Sequence, residues 1–298
     1  MQSFSRGWSF LKQAWSMAFK DKDLLKPSIF ALVVGMIVSA IGIIPLIGAY
    51  FILGNSQIGN IVLFVMGGIL VFVQFVVTYM FSGMTVYLIY GYLSEGDGRM
   101  DKAWAVVRRD FFDILTLAAA STAVNLLKSA ASRSRNRGVV ANMARTATSL
   151  LEVLWTEAAL LILPAMVIDD LNLKDGMQRV WNITKENLVL IGISTVGVRW
   201  VTGLIGFVIG VVGFIIAFAI GGGLTYASGG DTTISIVGIA VGALIFFAFV
   251  MVASVISSYT STAYHTCLYI WAREVEKAKV KGSTVRVAAP APLAAALA

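Results

Sequence analysis

Residues Ser28 to Gly54 read SIFALVVGMIVSAIGIIPLIGAYFILG, 27 positions without one charge. Residues 60–93 follow, NIVLFVMGGILVFVQFVVTYMFSGMTVYLIYGYL, again uncharged. A spanning helix needs about 20 mainly apolar residues, and both runs exceed that. Neither alternates apolar with polar positions, as a lipid-facing barrel strand would. Lipid offers no partner to backbone N–H and C=O groups, so such runs are helices that satisfy their own backbone.

Four more runs extend the reading along the chain. Residues 111–127 are short and rich in Ala, Ser and Thr, with Asp113 near the start; residues 146–168 carry Glu152 and Glu157. Residues 188–221 are glycine-rich with one charge, Arg199, and residues 233–272 are long and uncharged. The composition agrees. Of 298 residues 58% are hydrophobic and only 13% charged, with a formal charge of +7. A soluble domain carries about 25% charged residues, so disorder, coiled coil and an ordinary soluble enzyme are excluded. The fold expected is an all-α integral membrane protein with six transmembrane helices.

Before the first, third and fifth runs stands a short amphipathic segment bearing a tryptophan. The segments are Ala14-Trp15 to Lys20-Asp21, Ala103-Trp104 to Arg109-Asp110, and Val180-Trp181 to Glu186-Asn187. Each is read as an amphipathic helix, a charged elbow and an apolar helix. The chain is therefore expected to be three parallel hairpin units, each preceded by an interfacial helix. The single membrane domain covers residues 1–276. It divides into an N-terminal interfacial helix at 3–26, hairpin one at 28–93, a second unit at 98–168 and a third at 174–272. Residues 277–298, basic and then rich in Ala and Pro, are expected to be disordered. Trp8, Trp15, Trp104 and Trp181 are the expected interfacial anchors, since indole rings favour the headgroup level.

Basic residues favour the cytoplasmic side. With six crossings, 17 of the 23 Lys and Arg residues fall on the side of the termini, within 6–26, 99–109, 174–185 and 273–286. Five lie opposite, between Lys128 and Arg145. Both termini are thus expected in the cytoplasm of a cell with this protein in its inner membrane. The Arg133–Arg137 connection breaks the rule, and it leaves open whether residues 111–168 cross fully.

The opening Ser5-Arg6-Gly7-Trp8-Ser9-Phe10-Leu11-Lys12, the elbow Lys20-Asp21-Lys22-Asp23-Leu24-Leu25, and the order Trp155-Thr156-Glu157-Ala158, Leu163-Pro164-Ala165-Met166-Val167-Ile168-Asp169-Asp170, Asp175-Gly176-Met177-Gln178-Arg179-Val180-Trp181 resemble a prokaryotic family. Its members are multi-pass membrane proteins of unknown function, similar to the membrane domain fused to some glycerophosphodiester phosphodiesterases. The resemblance runs over most of residues 4–272 and implies a helical membrane protein with no established activity. The chain has no phosphodiesterase domain and no catalytic His/Glu set, so that activity does not carry over.

Charges inside spans cost about 2.5–3.5 kcal/mol each on insertion scales and mark candidate sites. Glu152 and Glu157, five residues apart, project roughly 140° apart on a helix. Glu157 is expected to pair with Arg199 at similar depth, and Glu152 with Arg145. Such pairs either hold helices together or line a path for an ion or lipid headgroup. Gly206 and Gly210 form one GxxxG and Gly238 and Gly242 another; small residues let helices approach closely, within one subunit or against a protein partner or second copy. His265 and Cys267 project on different faces and make no metal site. No motif for a cofactor is present, and the basic residues face anionic lipid rather than nucleic acid. Without a catalytic residue set, the chain reads as a non-enzymatic component that organises a membrane complex or the bilayer. The alternative is a transporter or channel-like permease using Glu152, Glu157 and Arg199.

Overall fold

The structure, a computed structural model, describes residues 2–54, 56–133, 139–227, 229, 232–280 and 287–297. Among them run the helices α1 (Gln2–Lys20), α2 (Lys26–Leu53), α3 (Gln57–Glu95), α4 (Met100–Arg109), α5 (Phe111–Arg133), α6 (Val139–Asp169), α7 (Leu173–Ala227), α8 (Thr232–Val280) and α9 (Ala291–Leu297). No strand occurs among the described residues.

Local chemistry sets the breaks. The Asp21 carboxylate accepts from the Asp23 N–H, a single 3-10 turn follows, and Pro27 starts α2. Between α2 and α3, Gly54 adopts φ +55°, and Ser56 caps α3 by accepting from Gly59 N–H at 3.0 Å. At the end of α3, Gly96 takes the left-handed conformation (φ +81°) that ends many helices. Asp110 makes the elbow between α4 and α5. The elbow expected at Asn187 does not form, because α7 runs unbroken from Leu173 to Ala227. Around Asn187 there is neither a proline nor a glycine, so nothing removes a backbone donor or frees the chain from the helix.

Six helical segments are long and apolar enough to cross a membrane: Lys22–Leu53, Gln57–Glu95, Phe111–Ser132, Arg145–Asp169, Val201–Ala227 and Thr232–Lys279. The short third run thus gains length from Lys128 to Ser132. The arginine-rich connection lies partly outside the described residues, which resume at Val139.

The packed core sits at one end. Its fully buried large side chains are Phe10 and Leu24 from the N-terminus, Leu88 and Ile89 from α3, and Ile114 and Leu117 from α5. Ile162, Leu163 and Met166 come from α6, and Tyr259, Tyr264 and Tyr269 from α8. The opposite half of the helices carries bare apolar surface: Ile37 to Ile52 on α2, Phe207 to Phe218 on α7, and Ile234 to Phe247 on α8 are largely exposed. Water does not tolerate a contiguous apolar surface on this scale, so lipid is the medium for that half.

Helix length separates the two halves. The 55 residues of α7 and 49 of α8 are about 82 and 74 Å long at 1.5 Å per residue. The hydrocarbon core is about 30 Å thick. Even at a 40° tilt, the upper limit usually seen, a helix of 74 Å still rises about 57 Å. Both helices therefore leave the hydrocarbon, and the end at which they do so as one body is the packed one.

The tail departs from expectation. Residues 287–297 are ordered against the core: α9 packs on α1 and α8, Leu293 is fully buried, and Trp271 Nε1–H donates to the Val287 carbonyl at 3.4 Å. Composition suggested disorder, but one leucine and a proline-started turn are enough when a ready apolar groove receives them. The packing of α9 on α1 also brings the N- and C-terminal helices to the same end.

Candidate functional site: a polar seam between α6 and α8

Residues one turn apart on α8 (Ser261, His265, Tyr269 and Arg273) face α6. Three of them meet carboxylates there. His265 is 3% exposed, and its Nε2 lies 3.2 Å from Glu157 Oε2. The other ring nitrogen, Nδ1, lies 2.7 Å from the Ser261 carbonyl oxygen. A carbonyl only accepts, so Nδ1 carries the hydrogen. A neutral ring then has a lone pair on Nε2, and a carboxylate oxygen also offers lone pairs. The contact therefore holds one further proton, either as imidazolium and carboxylate or as imidazole and carboxylic acid. His265 is the one histidine of the chain.

One turn further along α8, the Tyr269 hydroxyl donates to Asp169 Oδ2 in a very short contact. Arg273 holds the other oxygen of the same carboxylate at 2.6 Å. Arg179 of α7 pairs with Glu276 of α8 at 2.5 Å. The seam thus passes from a proton-holding contact to ion pairs at the rim. Beside it, α3, α5 and α6 are tied at one hydroxyl: Ser121 Oγ accepts from Trp155 Nε1–H at 2.8 Å and bonds the Tyr79 hydroxyl at 2.8 Å. At the α4–α5 elbow, Asp110 is bonded by Arg109 Nε at 2.6 Å, yet burial outweighs that neighbour and holds its carboxyl above the usual range.

The candidate residues fare unequally. Glu157 meets His265, 108 positions away in the chain. Arg199 lies in α7 where side chains are outside the described residues, so the expected Glu157–Arg199 pair falls there too. Glu152 pairs with Lys128 of α5 at 2.5 Å rather than with Arg145, whose Nε faces the Ala131 carbonyl at 3.5 Å. Arg145 stands two turns from Glu152 on the same helix, whereas Lys128 arrives from the neighbouring helix at the same height. The two glutamates therefore serve different helix contacts.

Of the expected anchors, Trp8, Trp104 and Trp181 are 50%, 41% and 68% exposed. Trp15 is only partly exposed. Its indole N–H donates inward to Thr260 Oγ1 at 3.2 Å, and its ring meets Tyr259 edge-on. It shares the inner face of α1 with Ala14 and Ala18, where an indole finds both packing and an acceptor.

The glycines also divide. A Cβ added at Gly238 would lie 2.7 Å from the Gly221 carbonyl oxygen, and one at Gly242 would lie 2.9 Å from that of Ala217. This GxxxG closes the α7–α8 contact inside the chain. Around Gly206 and Gly210 there is open space. Among the described residues no three His, Cys, Asp or Glu side chains gather to hold a metal ion. No family model and no curated protein matches the chain.

Proposed function

We propose that this chain is a non-enzymatic integral membrane protein of the inner membrane, a structural or accessory component that organises a membrane complex or the bilayer. The observation that carries the reading is the contrast between its halves. The lipid half leaves long apolar faces of α2, α7 and α8 exposed, whereas the other half is a solid, tyrosine-rich bundle joining α1, α3, α5, α6, α8 and α9. A rigid platform on thinly packed spans suits holding a partner at the membrane. In the same reading the chain is three parallel hairpin units with both termini cytoplasmic, the first two entered through a separate interfacial helix and the third through the first turns of the unbroken α7. The outward Trp8, Trp104 and Trp181 support that arrangement, as does the meeting of α1 with α9. The likeness to the prokaryotic multi-pass family belongs to this proposal. Purification from native membranes in mild detergent tests it: a stoichiometric companion is expected, and a uniformly solitary protein contradicts it.

The Glu157–His265 contact favours a second reading, a proton-linked permease for a small solute or lipid. Reconstituted vesicles under a pH gradient test it. Solute or proton flux lost in Glu157→Gln supports transport, and flux equal to empty vesicles removes it.

A further inference from the structure

Helix α9 lies in a groove whose walls are α1 and α8. Those walls are fixed to each other without it. The Trp15 indole N–H donates to Thr260 Oγ1 at 3.2 Å, the Tyr259 hydroxyl donates to the Ala14 carbonyl at 3.0 Å, and Phe10 meets Tyr264 edge-on at 5.4 Å. The groove therefore keeps its shape when α9 leaves.

The occupant is held more lightly than the walls. Helix α9 has seven residues, Ala291–Leu297, and isolated helices shorter than about 12–15 residues are marginal in water. Its helical form is thus supplied by the groove. Among the described side chains of the segment, Pro292 and Leu293 are buried. Among the described residues, the side-chain hydrogen bond that reaches the segment is the 3.4 Å one from Trp271 Nε1–H to the Val287 carbonyl. Residues 287–297 carry no charge, so no ion pair of their side chains adds to the hold. A short tether raises the effective concentration of a segment to the order of millimolar, which lets weak contacts fill a groove.

Helix α9 also shows what the groove accepts: an uncharged helix started by proline, with a leucine among alanines small enough for close approach. Laying the apolar face of a helix into a groove is a recurring mode of protein recognition. We propose that the α1–α8 groove is a docking site for a short helix of a partner protein, uncharged, proline-started and rich in Ala and Leu, and that α9 is a displaceable strap that fills it in the partner's absence. The existence of a partner rests on the accessory reading above; the groove and its strap rest on the packing.

The test is fluorescence anisotropy of a labelled peptide with the sequence of residues 287–297, titrated with the full chain in mild detergent. Leu293→Asp bares the groove, and this variant is expected to bind the peptide at least tenfold more tightly than wild type, whose groove is filled. It is expected to bind a scrambled peptide of the same composition at least tenfold less tightly, which separates docking from uptake by detergent. Leu293→Ser is the second releasing variant should Leu293→Asp fail to fold, and matched thermal unfolding checks both. In wild type, excess peptide is expected to drive α9 out, so that limited proteolysis removes residues 287–297 at least several-fold faster. Equal binding by wild type and the releasing variants overturns the proposal, as does equal binding of the two peptides or no binding by a folded releasing variant. A wild type that is dimeric and is split by the peptide assigns the groove to α9 of a second copy and overturns the partner assignment. A chain that purifies alone from native membranes yet binds the peptide as expected removes the accessory reading and supports the groove, so the two failures are distinguishable.

Discussion

Replacing Glu157 and His265 by alanine, singly and together, asks whether their contact acts as a unit. In Glu157→Ala the imidazole remains 3% exposed with Nε2 facing a void. An unsatisfied buried group costs about 1–3 kcal/mol. His265→Ala removes one partner of the Glu157 carboxylate together with a ring that packs edge-on against Tyr264 at 5.2 Å. Breaking a buried pair from one side costs about 3–5 kcal/mol. The double variant removes both members of the contact, so it should be more stable than the summed losses by about 1.5–3 kcal/mol, the strength of hydrogen bonds to charged groups. For a chain this size each kcal/mol moves the midpoint by about 2–4 °C. The single variants should therefore fall by several degrees, and the double by little more than His265→Ala alone. Glu157→Gln restores a donor toward a neutral ring and should recover most of the Glu157→Ala loss. Thermal unfolding in detergent, followed by tryptophan fluorescence, reads all four. Losses that add within about 0.5 kcal/mol would refute the coupling, since that is the behaviour of independent sites.

Four further outcomes follow from the packing. Gly238→Leu should destabilise the α7–α8 pair strongly because its Cβ meets the Gly221 carbonyl, while Gly210→Leu, with open space around it, should leave the unfolding midpoint nearly unchanged. Ser121→Ala leaves the Trp155 indole N–H and the Tyr79 hydroxyl without their shared partner, a loss of about 1–3 kcal/mol in the same unfolding assay. Leu293→Asp should release α9 from its groove, and limited proteolysis should then remove the tail at least several-fold faster than in wild type. Burial raises the Asp110 carboxyl in the folded state, so the fold binds its proton more tightly than the unfolded chain does. That contribution is present at low pH and fades as pH rises through the carboxylate range. Midpoints measured across that range should show Asp110→Asn gaining on wild type as the pH rises.

The spans were legible because lipid imposes a simple requirement, an unbroken apolar helix, and residues 28–54 and 60–93 state it plainly. The pairings inside the bundle were not legible in the same way. Glu157 and His265 stand 108 positions apart, and no periodicity within α6 or α8 indicates which faces meet. A lone histidine at the end of an apolar run and a glutamate inside another were the available signal. Trp15 matches Trp104 and Trp181 in its local pattern, yet it turns inward because Thr260 and Tyr259 stand opposite α1. That is a property of the neighbour and not of the segment. The tail misled for a related reason: an Ala/Pro stretch has little to bury by itself, and what orders Leu293 is the surface of α1 and α8. The GxxxG patterns were equally visible, but only the facing Gly221 decides that Gly238 and Gly242 are consumed within the chain.

The central claim is a six-crossing chain whose packed, basic end and both termini lie on the inner side. Single cysteines introduced by Ser134→Cys, in the connection between α5 and α6, and by Ser283→Cys, between α8 and α9, test it most directly in a Cys267→Ala background. Right-side-out membrane vesicles are treated with an impermeant thiol reagent before and after opening. The account predicts that the Ser134→Cys variant is labelled in sealed vesicles, and the Ser283→Cys variant only once they are opened. Labelling of both variants only after opening would contradict it, because α5 and α6 would then not cross.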